Sequence, residues 1–162
     1  MAETSVNESS QRFERSRLLL WTAIVIWGCL VSAYLVRGFF THAANQMHDS
    51  HERVTYAYRV VEFRAALARG YLSPQWCPDF RSGLGAPYFS YYQPAFFDVA
   101  SIVPSSIPLA KMLGITLGIF SLVGYVGMVG LIGRSFDYLS GVVAGTILLL
   151  SPYAGPEIYI RG

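Results

Sequence analysis

The segment His48-Asp49-Ser50-His51-Glu52-Arg53 gathers two imidazoles, two carboxylates and a guanidinium in consecutive positions. A carboxylate such as Asp49 could act as general base toward an acceptor hydroxyl, or ligate a divalent cation such as Mg or Mn. At a helix start, the positive end of the helix dipole would favour its ionised form. The plainer role is capping, because Asp49 with Glu52 three residues on resembles a capping box, and the two roles are compatible. His48 and His51 could face one way on a helix, but a zinc site needs more ligands than that pair. Solvated or interfacial histidines are the simpler account.

Arg53, Arg59, Arg64 and Arg69 could hold phosphate oxygens in bidentate fashion. The competing role is attraction to anionic lipid headgroups, worth about 1 kcal/mol each near a surface. Arg53, beside the acidic cluster, is the best phosphate candidate of the four. Trp76, Tyr91 and Tyr92 could form a stacking floor for a sugar or lipid headgroup, although aromatic rings also gather at membrane interfaces without further purpose. Gly83-Leu84-Gly85 lacks the third glycine and the leading strand of a dinucleotide fingerprint, so a tight backbone excursion before Pro87 is expected instead. No Ser-His-Asp arrangement, P-loop or CxxC pair is present.

The elements that must position these residues are greasy. The 162 residues are 53% hydrophobic and 14% charged, with a mean hydropathy of +0.40. Three apolar runs stand out, from Leu18, from Leu109 and from Tyr138, and Met112 to Gly133 carries no charge at all. About 20 such residues at 1.5 Å each cross the hydrocarbon core of a bilayer. The expected plan starts with a disordered cytoplasmic tail over 1–17 and a first transmembrane helix over 18–36. An extracytoplasmic loop over 37–108 follows, then transmembrane helices over 109–133 and 138–155, and an outer tail over 156–162. Arg12, Arg15 and Arg17 precede the first run and place the N-terminus in the cytoplasm, the loop of roughly 70 residues being too long for its own arginines to count reliably. That run is longer than a signal-peptide core and reads as a retained anchor.

Within the loop, Tyr56, Val60, Phe63 and Leu67 form one apolar stripe of a helix over about 50–69, with Arg59, Glu62 and Arg69 away from it. Gly70 sits where that helix ends. Pro94 opens a second helix over 94–103 as its N1 residue, and Pro104 stops it. Both are too short to cross the bilayer or too amphipathic to suit it, and are expected to lie along its surface. The fold class is therefore an all-α membrane protein, with about three transmembrane helices plus two interfacial helices in a large outer loop. Gly114, Gly118 and Ser121, continued by Gly124, Gly127 and Gly130, make a close-approach surface that asks for further transmembrane helices, from a longer chain or an oligomer. Two cysteines, Cys29 and Cys77, make no disulfide framework. A net charge of +2 with no basic cluster gives no support to a nucleic-acid partner.

Taken together, Asp49, His51, Arg53, Gly70, Pro74, Trp76, Gly83, Gly85, Pro87, Tyr91, Tyr92 and Pro94, with the tail residues Pro152, Tyr153, Tyr159, Arg161 and Gly162, resemble a known family. It is the bacterial integral-membrane family labelled 6-pyruvoyl-tetrahydropterin synthase-related, whose organisation is similar to GT-C-type glycosyltransferases. No pterin site is apparent. The resemblance covers about residues 18–162, the opening part of a typical family member, and Gln93 stands where a proline is common. It implies a multi-pass protein of the bacterial cell (inner) membrane that transfers a sugar from a lipid-phosphate donor at the outer face. Asp49 would be catalytic base or metal ligand, and His51, Arg53, Trp76, Tyr91 and Tyr92 would bind substrate. It also implies that these 162 residues form an N-terminal portion, inactive alone. The alternative, motivated by the incomplete catalytic constellation, is a non-catalytic membrane transport or assembly subunit.

Overall fold

A chain segment in lipid has no water to satisfy its backbone, and the helix is the way a single segment satisfies it internally. The computed structural model, which describes residues 2–41, 53–92 and 94–151, is all-helical in its regular structure across those residues. The longer helices are α1 (Ala2–Val36), α2 (Arg53–Ala68), α3 (Pro94–Ile102), α4 (Leu109–Ser135) and α5 (Tyr138–Leu150). Two of these, over Arg12–Val36 and Leu109–Ser135, are long and apolar enough to cross a membrane. At 13 residues α5 is about 20 Å long. It ends at Ser151, whose extended ψ of 147° suits the residue before a proline.

α1 begins at Ala2, so the segment 2–17, expected as a disordered tail, is helical. Helix propagation explains this, since extending an already nucleated helix costs far less than starting one. In this stretch Ser16 Oγ donates to the Phe13 carbonyl at 2.8 Å, and the Arg17 guanidinium lies 5.8 Å from the Phe13 ring centre. The segment 42–52, which includes the expected Asp49–Glu52 cap, lies outside the described residues, as does the expected outer tail over 156–162.

The chain forms two compact units. One combines Met1–Leu35 with Ile119–Ser151. Its centre is Tyr125, fully buried on α4, with Gly28 of α1 and Gly145 of α5 against its ring. A Cβ at Gly28 would stand 2.5 Å from Tyr125 Cδ1, and one at Gly145 2.8 Å from Cδ2, so both glycines are there to admit the phenol. Trp27 Nε1 donates to Thr146 Oγ1 at 3.0 Å, and Trp21 meets Tyr138 edge-on at 5.4 Å. Asp137 caps α5 by accepting from Ser140 N at 2.8 Å and Ser140 Oγ at 2.7 Å, and these bonds hold its carboxyl below the usual range. The glycine series on α4 is not one surface: beyond the helix's own backbone and the adjacent residues, no described atom lies within 4 Å of a Cβ built at Gly124, Gly127 or Gly130.

The second unit is Val36–Gly118. Its core is aromatic: Phe63 of α2, Phe89 and Phe97 of α3 lie 4.9–5.6 Å apart in pairs, joined by Val36, Phe39, Val60, Cys77, Ala100, Met112 and Leu113. Such ring pairs add about 0.5–1.5 kcal/mol each beyond their buried area. Gly114 lets the start of α4 approach the Gly38–Thr41 turn, where a Cβ would stand 2.7 Å from that of Phe39. Arg64, expected on the phosphate or lipid side of α2, instead spans to the end of α3. Its guanidinium donates to the Ala100 carbonyl at 2.7 Å and to that of Val103, satisfying carbonyls that the helix end leaves open.

One contact in the first unit is directly testable. A Cβ on Gly141 would meet the Val129 carbonyl oxygen at 2.8 Å and its Cα at 3.1 Å, backbone atoms that cannot rotate away. Gly141→Ala should therefore cost about 1–3 kcal/mol and lower the thermal midpoint of the detergent-solubilised protein. Gly130→Ala, into open space, should be neutral or stabilise by up to ~1 kcal/mol. Equal effects of the two substitutions would refute this helix packing.

Candidate functional site

Helix α2 supplies the polar groups of the second unit and the segment 71–92 closes over them. The helix ends in a Schellman motif: Gly70, at φ +93°, donates to the Leu67 carbonyl at 2.9 Å, and Tyr71 donates to that of Ala66 at 3.1 Å. This turn sends the chain back along the helix. Cys77 and Ala86 then pair reciprocally, N to O at 2.8 and 3.0 Å, closing a loop between them. Inside that loop Arg81, Ser82 and Gly83 are all left-handed, with φ of 54°, 59° and 88°. Gly85 follows at φ +75°. The tight excursion expected at Gly83 and Gly85 is thus present, and two non-glycine residues share the strain.

The loop encloses Arg59. The sequence places Arg59 and Glu62 away from the apolar stripe, but both are buried, at 1% and 6% exposure. The stripe Val60, Phe63 and Leu67 packs in the core as expected, but the buried face of α2 is wider and extends round the helix through Arg59, Glu62 and Ala66. Periodicity missed this because a hydropathy pattern scores a guanidinium as solvent-facing whatever lies over it. What lies over it is aromatic. The guanidinium carbon is 4.0 Å from the Tyr88 ring centre, 4.5 Å from Tyr92 and 4.9 Å from Tyr56. An Arg59 guanidinium N–H also donates to the Tyr88 hydroxyl at 2.5 Å. Tyr88 and Tyr92 stack at 4.9 Å with their planes 11° apart. Burial, and then the Tyr92 hydroxyl, push the Tyr88 phenol above its ordinary pKa, which keeps it neutral against the cation.

One turn on, Glu62 faces the loop at Asp79. Burial raises its pKa first, and a side-chain hydrogen bond with Asp79 raises it further, while the Asp79 backbone N–H and Arg69 pull the other way. The neighbouring Cys77 thiol is fully buried and is pushed up to about 12, by burial and then by Glu62. It is consequently an inert core group, unlike a nucleophile or a labelling site.

A cleft of about 410 Å³ is lined by Ala66, Arg69, Tyr71, Gln75, Trp76 and Pro78 among others. This volume falls within the range of small-molecule sites. Trp76 is half-exposed and its indole lies on Gly85, where a Cβ would stand 2.4 Å from Nε1 and 2.6 Å from Cε2. The absence of a side chain at Gly85 is therefore what seats the ring.

The expected substrate residues are distributed unevenly over this geometry. Trp76 lines the cleft, whereas Tyr92 belongs to the stack around Arg59 and Tyr91 is exposed at 81%. Tyr91 and Tyr92 are not in the lining of the Trp76 cleft. Arg53 is the first residue of α2, and Asp49 and His51 lie outside the described residues. No group of three or more metal-ligating side chains gathers among the described residues. Neither Tyr71 nor the pairing of Glu62 with Asp79 was picked out by spacing or composition. The one available signal for the cage was Tyr56 and Arg59 three apart on a helix, upstream of the dense run Tyr88-Phe89-Ser90-Tyr91-Tyr92.

No family model, curated protein or solved structure matches this chain.

The Glu62 carboxyl gives a pH test. Folding raises its pKa, so its contribution to stability is fully present below the ordinary carboxylate pKa and is lost as pH rises through the raised value. Glu62→Gln keeps a neutral donor toward Asp79 at every pH. The variant should match the wild type near pH 4 and exceed it near pH 8, where about 1 kcal/mol would correspond to roughly 2–4 °C in thermal midpoint. A variant less stable than the wild type at pH 8 would show that the ionised carboxylate is what the fold requires.

Proposed function

We propose that this chain is the N-terminal, loop-bearing part of a GT-C-like membrane glycosyltransferase of the 6-pyruvoyl-tetrahydropterin synthase-related kind, taking a sugar from a lipid-phosphate donor at the outer face of a bacterial cell membrane. The observation that carries this reading is the segment between the two span-length helices. It folds around its own aromatic core and presents a cleft with a seated indole, a guanidinium and an amide at Trp76, Arg69 and Gln75. A linker that only joined two spans would need none of this.

In this reading α5 with the residues after it supplies a third span, and α2 and α3 lie along the bilayer surface. The N-terminus is cytoplasmic, as Arg12, Arg15 and Arg17 favour. Asp49 removes the acceptor proton or holds a Mg or Mn ion, His51 and Arg53 bind the phosphate-bearing donor, and the aromatic side chains shape the sugar site. The open Gly124, Gly127 and Gly130 surface would receive further transmembrane helices.

Asp49→Asn in the full-length protein should lower sugar transfer from a lipid-linked donor by about 10²–10⁴-fold, the usual contribution of a general base. Unchanged transfer would remove Asp49 from the mechanism, and no transfer by the wild type with any lipid-phosphate sugar would favour a non-catalytic transport or assembly role. Sidedness has its own test. Leu72 is 94% exposed, so Leu72→Cys in a Cys29→Ser background should react with an impermeant maleimide in intact cells. Reaction only after lysis would put the loop on the cytoplasmic side.

A further inference from the structure

The apolar stripe of α2 is spent on the core of its own unit, with Val60 and Phe63 at 0% and 1% exposure. A bilayer lying against this unit therefore meets other residues. Leu72 at 94% and Leu84 at 82% are the most exposed large hydrophobic side chains among the described residues. Each ends a turn and follows an exposed arginine by three positions, in Arg69-Gly70-Tyr71-Leu72 and Arg81-Ser82-Gly83-Leu84. Both turns are closed by backbone hydrogen bonds. Tyr71 N–H donates to the Ala66 carbonyl at 3.1 Å in the first, and Gly85 N–H to the Phe80 carbonyl at 2.8 Å in the second. Phe80 anchors the second turn from within, its ring 5.1 Å from that of Tyr58 and 4.8 Å from that of Tyr88. Arg81 and Ser82 hold a left-handed backbone ahead of Leu84, a conformation that L residues adopt only at a cost. The two turns are also neighbours. Tyr71 and Ser73, on either side of Leu72, line one cleft with Trp76, and the Trp76 indole lies against Gly85, the residue after Leu84.

A single exposed leucine is ordinary on a protein surface. Two leucines fixed at neighbouring turns, each three residues from a guanidinium and with exposed aromatic rings beside them, have the composition of a surface that enters a lipid interface. The charges agree. Arg59 and Arg64 are engaged inside the unit, whereas Arg69 and Arg81 are exposed, and Asp79, the acidic residue nearest to Arg81 in sequence, is hydrogen-bonded to Glu62. We infer that the turns at Leu72 and Leu84 dock this unit onto an anionic bilayer, with the leucines in the lipid interface and Arg69 and Arg81 on phosphate oxygens. A guanidinium pairs with phosphate and a leucine needs hydrocarbon, and an anionic phospholipid surface supplies both. The chain enters and leaves the unit through helices long enough to cross a membrane, which holds that surface at high local concentration. The inference rests on the membrane placement given under the proposed function and not on sugar transfer. It assigns the lipid contact to these turns in place of the stripe of α2.

Depth is measurable at each turn. The full chain carrying Cys29→Ser, with a nitrobenzoxadiazole label at Leu72→Cys or at Leu84→Cys, is placed in nanodiscs. In phosphatidylglycerol both labels should shift to the blue and be quenched by lipids spin-labelled at the headgroup or high in the acyl chain. In phosphatidylcholine neither change should appear. Headgroup depth leaves a thiol at position 72 open to aqueous maleimide, so the sidedness test above is unaffected. Arg69→Gln with Arg81→Gln should lower the docked-to-free ratio in phosphatidylglycerol by up to about 30-fold, the effect of removing two cations from an anionic surface. Retained shielding of the buried Cys77 thiol from maleimide would show that this variant is folded. Labels quenched equally in the two lipids, or unquenched in both, would overturn the inference. The spans have their own readout, because Trp27 in a chain carrying Trp21→Phe and Trp76→Phe should be quenched by spin labels deep in the acyl chain. Quenched Trp27 with unresponsive turn labels would sink the docking and leave the membrane placement intact. Unquenched Trp27 would remove both.

Discussion

A buried guanidinium sets the terms for the segment between the two long apolar helices. Arg59 is 1% exposed, and a charge taken from water must be compensated where it goes or the burial costs several kcal/mol. Here compensation comes from the faces of Tyr56, Tyr88 and Tyr92 and from the Tyr88 hydroxyl. Cation–π contacts strengthen on desolvation, to about 2 kcal/mol or more each, so the cage works best when the loop is fully closed. That requirement fixes Tyr88 and Tyr92 relative to α2 and, through them, the whole return of the chain from Gly70.

The backbone of the loop follows from that closure. Between its anchor on α2 and its anchor at Tyr88, the chain must reverse, and it does so through the left-handed residues Arg81, Ser82, Gly83 and Gly85 and the Cys77–Ala86 pairing. Reversal brings Asp79 to Glu62 and buries the Cys77 thiol. It also puts Gly85 under Trp76. The indole is presented to the cleft as a by-product of covering an arginine. Two polar features and one aromatic platform thus share a single structural cause.

The first unit is held differently. Its helices meet at glycines around the ring of Tyr125, and Trp27 donates to Thr146 between α1 and α5. Where apolar side chains have nothing to gain by leaving apolar surroundings, close backbone approach and dispersion supply the association, and both require small residues at the crossing points. Gly28, Gly141 and Gly145 answer that requirement, whereas Gly124, Gly127 and Gly130 meet no described neighbour.

Much of this was legible in the residues alone. The uncharged run from Met112 to Gly133 and the apolar run from Leu18 specify long helices, because hydrophobic length is a local property. Gly70 marked the end of α2 and Pro94 the start of α3, since helix ends are set by local backbone chemistry. Trp76 also stood out, as an aromatic residue among Pro and Gly, and it lines the cleft half-exposed. What surrounds Arg59 and Glu62 was not legible. On a helix wheel each is a polar residue off the apolar stripe, and only the chain returning some thirty residues later makes that side an interior. The tertiary structure alone decided that Tyr92 would serve the arginine while Trp76 faces the cleft, and that Arg69, the least conspicuous of four similar arginines, would stand beside it. Charge and ring faces interact through space and not along the chain, so their pairing is written only in the fold.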